Sequence, residues 1–442
     1  MIGKLVGAVS KWVEAGLIPN IVSRIIVETD RIEDLASEIS QRIKQPIISA
    51  SLKDTVLRLA HNIVEGRMLI QNMMSMKKIP RFKLLSFPAT VKLIEELEAD
   101  KRVRKIYPDR FIKTVGYPTI PYNEAYRDKK TGELFVSTFQ TRKILGAEKA
   151  NQEGYTGRMV SVAVIDTTAL PTHSAISHAI PQTAIPGLYS DLNGHGVWCL
   201  ACIGGKYYIN TVYNVPTIGM APDATLIAVK ALGYVLGFGH ESDILEAMQI
   251  SERLGANIVS MSLGSEELEE EDPQVKAIET LTREKNMIFV VASGNSGPNS
   301  GTVNSPGVCE EAITVGAYDP ISGWLASFSS RGPTPDGRVK PDIVMPGVNV
   351  FAPTIGLLDY VETPKGALRV SALSGTSMAT PHAAGLVALM YEHASRHNIK
   401  LTAEMIKDVM LKYGDHPKNN DTGWGVLTWD KWKLYAKEVL GI

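Results

Sequence analysis

Short, nearly continuous apolar runs recur from Gly157 onward and are the feature that most restricts the fold. They are MVSVAVID (159–166), ATLIAVKAL (224–232), ANIVSMSLG (256–264), MIFVVASGN (287–295) and AITVGA (312–317). Short apolar runs without polar alternation are typical of parallel strands that are buried on both faces. Helical stretches such as ESDILEAMQISERLG and DPQVKAIETLTREKN lie between these runs. The alternation predicts an α/β domain with a doubly wound parallel sheet.

The composition excludes several classes of protein. The 46 basic and 47 acidic residues give a net charge of -1, which provides no field to gather nucleic acid. No uninterrupted apolar run reaches the roughly 18 residues that a membrane-spanning helix needs, so we expect no membrane span. The N-terminal stretch has Lys11 and Glu14 within its apolar run and no A-x-A-like cleavage site. We therefore expect a cytoplasmic protein, with an extracellular one as the alternative.

The cysteine content argues against both disulfides and a metal centre. The chain has three cysteines, an odd number that cannot all pair within one chain, so we expect free thiols. Cys199 and Cys202 have C-x-x-C spacing, but no second pair exists for a four-ligand zinc site. The sequence therefore predicts no metal ligands among the site residues.

The chain before the first apolar run is organised differently. The β-rich IVSRIIVET, the helical RIEDLASEISQRIK, the strand FKLLSF and the strand RVRKIYPDRF predict a small α+β domain over residues 1–115. Residues 116–140 are rich in Pro, Tyr, Gly and charged residues without periodicity, which predicts a linker. The predicted α/β domain then covers residues 141–442.

Polar residues with complementary chemistry follow the apolar runs, and ligands of such sheets bind at the carboxyl ends of strands. Asp166 closes SVAVID, His195 follows a glycine in DLNGHG, and Ser377 lies in SGTSMA. A serine hydroxyl becomes a nucleophile when an imidazole takes its proton and a carboxylate stabilises the resulting imidazolium. Asn295 in VVASGNSGP can donate its side-chain amide to an oxyanion. A simple turn residue is the alternative for Asn295.

These residues also carry a resemblance to a known family. The segments VAVID, NGHG, GMAPDATLIAVKAL, NIVSMSLG, ASGNSGP, SFSSRGP, KPDIVMPGVNV and SGTSMATPHAAG occur in this order between about Gly154 and the C-terminus. In this order they resemble the subtilisin-like serine peptidases, the subtilases. The resemblance implies that Asp166 is the orienting acid, His195 the general base and Ser377 the nucleophile. It also implies that Asn295 is the oxyanion donor.

The resemblance further implies how a substrate is held. Ser262, Leu263 and Gly264 correspond to the edge strand that pairs with an extended substrate. Ser293 and Gly294 correspond to the residues that line the pocket for the residue before the scissile bond. The family needs no cofactor for its chemistry, and a structural calcium ion is left open because no clear ligand set is evident.

The segment FPATVKLIEELEADKRVRKIYPDR resembles the inhibitory propeptide of the family. This resemblance implies a small ferredoxin-like α+β domain that assists folding and acts as an intramolecular inhibitor, with its C-terminal segment in the substrate cleft. We expect the maturation cut between about Arg110 and Phe139, which includes the predicted linker.

Two departures from the family pattern bear on the activity. After His195 the family usually has Gly-Thr-His-Val-Ala-Gly, whereas residues 196–201 here are GVWCLA, and Thr168 stands where the family usually has glycine.

We predict a serine endopeptidase of protein and peptide substrates that acts through an acyl-enzyme on Ser377 and is made as an autoprocessed zymogen. The alternative is a catalytically weak subtilase that serves as a binding or structural module, which the altered segment 197–201 motivates.

Overall fold

The structure analysed is a computed structural model of the chain, which forms two compact units. One unit consists of Met1–Phe111 with His240–Gln249, and the other of Ile112–Gly239 with Ile250–Ile442. The described residues are 23–42, 77–89, 96–97, 99–108, 111–114, 136–186, 189, 191, 193–210, 215–233, 237–265, 272–355 and 370–442. Most of the predicted linker therefore lies outside the described residues.

The first unit contains a four-stranded antiparallel sheet. Its elements are β1 (Ser23–Glu28), α1 (Ile32–Arg42), β2 (Lys77–Ile79), β3 (Leu84–Ala89) and β4 (Lys105–Pro108). The strand order is β2-β3-β1-β4, and each neighbouring pair is antiparallel. Val27 and Leu85 of the sheet share a core with Leu35 and Ile39 of α1. Residues 90–95 lie outside the described residues, and the ferredoxin-like arrangement stays a prediction.

Within this unit the N-terminal chain contacts the segment His240–Gln249. The Lys77 ammonium pairs with the Asp243 carboxylate and lies 3.2 Å from Oε2 of Glu246. The backbone N–H of Arg81 donates to Oε1 of Gln249 at 3.0 Å. Lys77 and Asp243 are both buried, and breaking a buried ion pair costs more than breaking an exposed one. This pair therefore ties β2 to the 240–249 segment.

The remaining strands and helices follow in chain order. The strands are β5 (Phe111–Thr114), β6 (Val136–Ser137), β7 (Ser161–Asp166), β8 (Ile180–Thr183), β9 (Tyr208–Asn210), β10 (Val215–Thr217), β11 (Thr225–Lys230), β12 (Phe238–His240), β13 (Ile258–Met261), β14 (Leu263–Gly264), β15 (Ile288–Ala292), β16 (Ile313–Tyr318), β17 (Ile343–Pro346), β18 (Val350–Pro353) and β19 (Val370–Leu373). The helices are α2 (Thr138–Ile144), α3 (Ala147–Gln152), α4 (His195–Gly204), α5 (Glu241–Arg253), α6 (Pro273–Lys285), α7 (Thr376–Arg396), α8 (Ala403–Tyr413) and α9 (Trp429–Tyr435).

A seven-stranded parallel sheet forms the centre of the second unit. Its order is β17-β16-β15-β13-β7-β11-β8, so later strands lie on both sides of β7. Every residue of β13 and β15 is buried, because both faces of the sheet are covered. Val162, Ile258 and Val290 belong to one core together with residues of α4 and α7. The predicted doubly wound parallel sheet is confirmed, and its switch point lies at the carboxyl end of β7.

Smaller strand pairs surround this sheet. β9 and β10 form an antiparallel hairpin, and β18 pairs with β19 antiparallel and with β6 in parallel. β14 pairs antiparallel with β5. Among the described residues, no helix is both long enough and apolar enough to cross a bilayer.

A buried ion pair at one end of the sheet stabilises the second unit. Oδ2 of Asp342 accepts hydrogen bonds from Lys340 Nζ at 2.7 Å and from the Thr314 N–H at 2.8 Å, and Oδ1 accepts from Lys418 Nζ at 2.7 Å. Burial by itself raises the pKa of Asp342, but the charges of Lys340, Lys407 and Lys418 outweigh it and hold that pKa well below its usual range. The carboxylate is therefore ionised and fully paired.

We predict that Asp342→Asn lowers the free energy of unfolding by about 3–5 kcal/mol, because it leaves the Lys340 ammonium buried without its counter-charge. Urea unfolding followed by circular dichroism measures this loss. Asp336→Asn, at a carboxylate whose side chain is 59% exposed and pairs with Arg338, is the matched control and should cost less than about 1 kcal/mol. Equal losses in the two variants would contradict the argument from burial.

Candidate active site

Asp166 and His195 form a buried pair at the carboxyl end of the sheet. Asp166 is the last residue of β7, and His195 is the first residue of α4. Nδ1 of His195 lies 2.9 and 3.0 Å from the two carboxylate oxygens of Asp166. Because the ionised carboxylate can only accept, Nδ1 carries the proton and Nε2 is left as an acceptor.

A glycine turn determines where α4 begins. Gly194 has a φ of +88°, in the left-handed region that favours glycine. A Cβ at this position would lie 1.9 Å from the carbonyl oxygen of Ile355, so no other residue type fits without a backbone shift. Oγ1 of Thr354 donates to the Gly194 carbonyl at 2.8 Å, and the His195 N–H donates to Oδ1 of Asn193 at 3.1 Å. Hydrogen bonds on both sides of the turn therefore fix the backbone that precedes α4.

Ser377 lies in the first turn of α7 and is fully buried. Its Oγ donates to the carbonyl oxygen of Ser262 at 3.1 Å, and Oγ of Ser262 donates to the Ser377 carbonyl at 3.0 Å. Nε2 of His195 is buried and has no hydrogen-bond partner within the described part of the chain. The acid and base are thus in contact, while the serine hydroxyl is bonded to the β13–β14 junction.

Cys199 links the neighbourhoods of His195 and Ser377. Its Sγ lies 3.9 Å from Nδ1 of His195 and 3.8 Å from the carbonyl oxygen of Ser377. Burial raises the pKa of this thiol well above its usual value, and the nearby charge of Asp166 adds to the effect. The Cys199 side chain is therefore a neutral thiol that packs where α4 meets α7. All three cysteines are free and buried.

Asn295 is oriented by the residue next to Ser377. Its Oδ1 accepts from the N–H of Thr376 at 2.9 Å and from Oγ1 of Thr376 at 3.0 Å. These bonds leave the amide nitrogen, Nδ2, buried without a hydrogen-bond partner among the described residues. A buried donor without a partner is costly, and one held in place beside a nucleophile suits the stabilisation of an oxyanion.

The predicted substrate strand takes a strand partner from this same chain. Leu263 lies opposite Thr114, and Gly264 lies opposite Lys113, in the antiparallel pair of β14 with β5. Leu263 is fully buried. The edge formed by residues 262–264 can therefore hold an extended backbone of the kind that a peptide substrate presents.

Ser293 and Gly294 follow β15, as their positions in the sequence require. Gly294 has a φ of +109°, and a Cβ there would lie 2.7 Å from both Oδ1 of Asn304 and Oγ of Ser330. Oγ of Ser293 is buried and has no hydrogen-bond partner in the described ranges. Both residues lie directly before Asn295, so the chain carries the oxyanion candidate and the pocket candidates on one short turn.

A network that the sequence motifs did not predict supports the Asp166–His195 pair. Oγ1 of Thr167 donates to Oδ2 of Asp191 at 3.1 Å and accepts from the N–H of Gly196 at 3.0 Å. Oδ1 of Asp191 accepts from the N–H of Gly194 at 3.0 Å, and the buried ammonium of Lys230 donates to the Thr167 carbonyl. The signal available in the sequence was the turn-forming DLNG, in which an Asp side chain commonly accepts from nearby N–H groups.

The two departures from the family pattern are accommodated by packing. Thr168 does not have a positive φ. Its Cγ2 packs against Gly196, where an added Cβ would lie only 2.9 Å from it. Val197 and Trp198 are fully buried in the core of the second unit. The altered residues therefore enlarge the core under the His195 helix without displacing the Asp166–His195 contact.

One cluster of three possible metal ligands occurs among the described residues. It consists of Asp166, His195 and Cys199, whose ligand atoms lie within 4.8 Å of one another. Calcium takes oxygen ligands, so this mixed set does not fit a calcium ion. The structural calcium ion that the sequence left open is therefore not assigned to this cluster.

Comparison with known proteins identifies the family. A family model described as the subtilase family matches residues 157–425. Serine protease AprX of Bacillus subtilis is 36% identical over 298 residues, which cover 61% of this chain and 64% of that protein. M-protease of Shouchella clausii is 33% identical over 311 residues, which cover 70% of each chain. Pyrolysin of Pyrococcus furiosus is 36% identical over 223 residues, but these cover only 15% of that protein.

This chain thus spans 64% of AprX and 15% of pyrolysin, so it matches part of the length of each. The family match nevertheless covers more than half of the chain and includes Asp166, His195 and Ser377. The central parallel sheet and the position of these residues at its carboxyl end agree with that match. The chain belongs to the subtilase family.

Proposed function

We propose that this protein is a serine endopeptidase that cleaves protein and peptide substrates through an acyl-enzyme on Ser377. The observation that carries the proposal is the buried Asp166–His195 pair. Nε2 of His195 has no hydrogen-bond partner among the described residues, and Cys199 contacts both Nδ1 of His195 and the Ser377 carbonyl. No cofactor takes part in this chemistry. The roles of the other site residues follow from their contacts.

The reaction needs one local change. Oγ of Ser377 leaves the Ser262 carbonyl, by rotation about the Cα–Cβ bond, and donates instead to Nε2 of His195. Catalytic hydrogen bonds are often absent or long until substrate binds. His195 takes the hydroxyl proton as Oγ attacks the substrate carbonyl carbon, and Asp166 stabilises the imidazolium. Nδ2 of Asn295 then donates to the oxyanion.

We predict that Ser377→Ala lowers kcat by about 10⁶-fold, because the nucleophile is lost. Asn295→Ala should lower kcat by about 10²- to 10³-fold, because it removes one oxyanion donor. Hydrolysis of casein and of chromogenic peptides measures both. The catalytically weak module remains the alternative, and stoichiometric labelling of Ser377 by a fluorophosphonate separates the two. A wild-type protein that takes up no label and cleaves no peptide would support the module.

The network around Asp191 suggests that this residue positions the base. Burial raises the pKa of Asp191 above its usual value, and the charge of Lys230 and the N–H of Gly194 offset only part of this rise. All the hydrogen bonds described at Asp191 are donated to its carboxylate, and they hold the turn that precedes His195.

We predict that Asp191→Asn lowers kcat by about tenfold to 100-fold and changes KM by less than about twofold, because misplacement of a catalytic group costs this much. Asp223→Asn, at a partly exposed carboxylate paired with Lys206, is the control. An unchanged kcat in Asp191→Asn would show that the residue does not position the base.

We further propose that the protein is made as a zymogen and that residues 1–115 act as its intramolecular inhibitor. Two observations support this proposal. The pairing of β5 with β14 puts an extended segment of the chain on the predicted substrate edge. The Lys77 pair with Asp243 attaches the N-terminal sheet to the 240–249 segment. A chain segment that pairs with β14 in this way would compete with substrate for that edge.

We predict that a separate fragment of residues 1–115, added to the mature enzyme, inhibits it competitively at micromolar concentration. Lys77→Glu in the fragment should raise the inhibition constant at least about tenfold, because it places a like charge beside Asp243 and Glu246. Lys78→Glu, whose side chain is 43% exposed and pairs with Glu33, is the control. A fragment that fails to inhibit would exclude the inhibitory role and leave the peptidase activity unaffected.

A further inference from the structure

Pro381 lies inside α7, four residues after Ser377. A proline has no backbone N–H, so it cannot donate the helical hydrogen bond to the carbonyl four residues earlier. The Ser377 carbonyl accepts instead from Oγ of Ser262 at 3.0 Å and from Sγ of Cys199 at 3.8 Å. Groups outside the helix therefore hold the first turn of α7 at the residue proposed to react.

A histidine side chain bonds to the next carbonyl, that of Met378. Nδ1 of His382 lies 2.7 Å from this oxygen, and Nε2 lies 2.8 Å from Oγ1 of Thr141 in α2. Because a carbonyl oxygen only accepts, Nδ1 carries the proton, and the Thr141 hydroxyl donates to Nε2. The Thr138 carbonyl is the more distant acceptor for that hydroxyl, at 3.2 Å. Burial lowers the pKa of His382 to about 4, so the ring is neutral near pH 7.

The helix that begins with His195 packs on the same ring. Trp198 of α4 lies three residues after His195, and its ring centroid is 6.3 Å from that of His382. Both side chains are fully buried. Trp198 belongs to the segment in which the chain departs from the family pattern, so the resemblance did not predict this contact. The His382 ring therefore joins α2, α4 and α7.

We propose that His382 is a positioning residue, which fixes the first turn of α7 and thereby the Ser377 hydroxyl against α2 and α4. This rests on the proposed role of Ser377 as the nucleophile. Met378 directly follows Ser377, so a shift of its carbonyl displaces the serine relative to Nε2 of His195. His382 acts through the Met378 backbone and takes no part in proton transfer.

The first experiment replaces the ring in the full chain and measures kcat per serine that takes up a fluorophosphonate. His382→Phe keeps an aromatic ring but removes both hydrogen bonds. It should lower kcat for chromogenic peptides about tenfold to 100-fold and change KM less than about twofold, because a misplaced catalytic group costs this much. The rate of fluorophosphonate labelling should fall by a similar factor.

Two further variants separate positioning from stability. His382→Asn should recover most of kcat, because its amide nitrogen can donate to the Met378 carbonyl as Nδ1 does. His173→Phe is the matched control, since His173 is also fully buried in the second unit and its Nδ1 accepts from the Ala175 N–H at 3.1 Å. This control should keep kcat within about twofold of wild type, whatever its effect on thermal unfolding.

The second experiment approaches the same contact from α2, and it decides the matter if His382→Phe does not fold. Thr141→Val keeps the shape of the side chain and removes the hydroxyl, and it should lower kcat about threefold to tenfold. Thr141→Ser should restore it. A wild-type kcat in Thr141→Val, or in a folded His382→Phe, would overturn the proposal. A wild-type protein that takes up no fluorophosphonate and cleaves no casein would instead refute the proposed function, and this proposal with it.

Discussion

The buried contact between Asp166 and His195 is the interaction on which the rest of the site depends. A buried carboxylate without partners costs several kcal/mol, and Asp166 has both the imidazole Nδ1 and the N–H of Thr167, at 2.7 Å from Oδ1. Because Asp166 ends a central strand and His195 begins a helix packed on the sheet, the contact couples the position of the base to the sheet. The orientation of Nε2 follows from it.

Some buried polar groups in the second unit make all their hydrogen bonds, and others lack a partner among the described residues. Asp342 accepts a hydrogen bond from each of its donors and contributes to stability. Nε2 of His195 and Nδ2 of Asn295 are buried without partners among the described residues. Unsatisfied buried groups call for an explanation. In the proposed mechanism, the reacting atoms of a substrate supply the missing partners of these two groups.

The edge formed by residues 262–264 is the edge of a sheet. Another segment of the same chain can therefore pair with it through the main chain. An unpaired strand edge offers N–H and C=O groups to any extended backbone. β5 takes this place on β14 through main-chain pairing, which makes few demands on side chains. If Ser293 and Gly294 line the substrate pocket as the family resemblance implies, main-chain pairing provides affinity and the pocket provides specificity.

The sequence by itself determined the parallel sheet, because uninterrupted apolar runs such as 159–166 and 287–295 have to be buried on both faces. It also indicated Asp166, which ends a strand, His195 and Asn295, which directly follow glycines, and Ser377, which lies in the SGTSMA segment. Only the tertiary structure decided that Thr167 bonds to Asp191, 24 residues away, and that Lys230 joins them. It alone decided the register of Lys113 on Gly264 and the bond between Ser377 and Ser262. Such contacts depend on which strands are neighbours and in what register, and local periodicity carries no record of either.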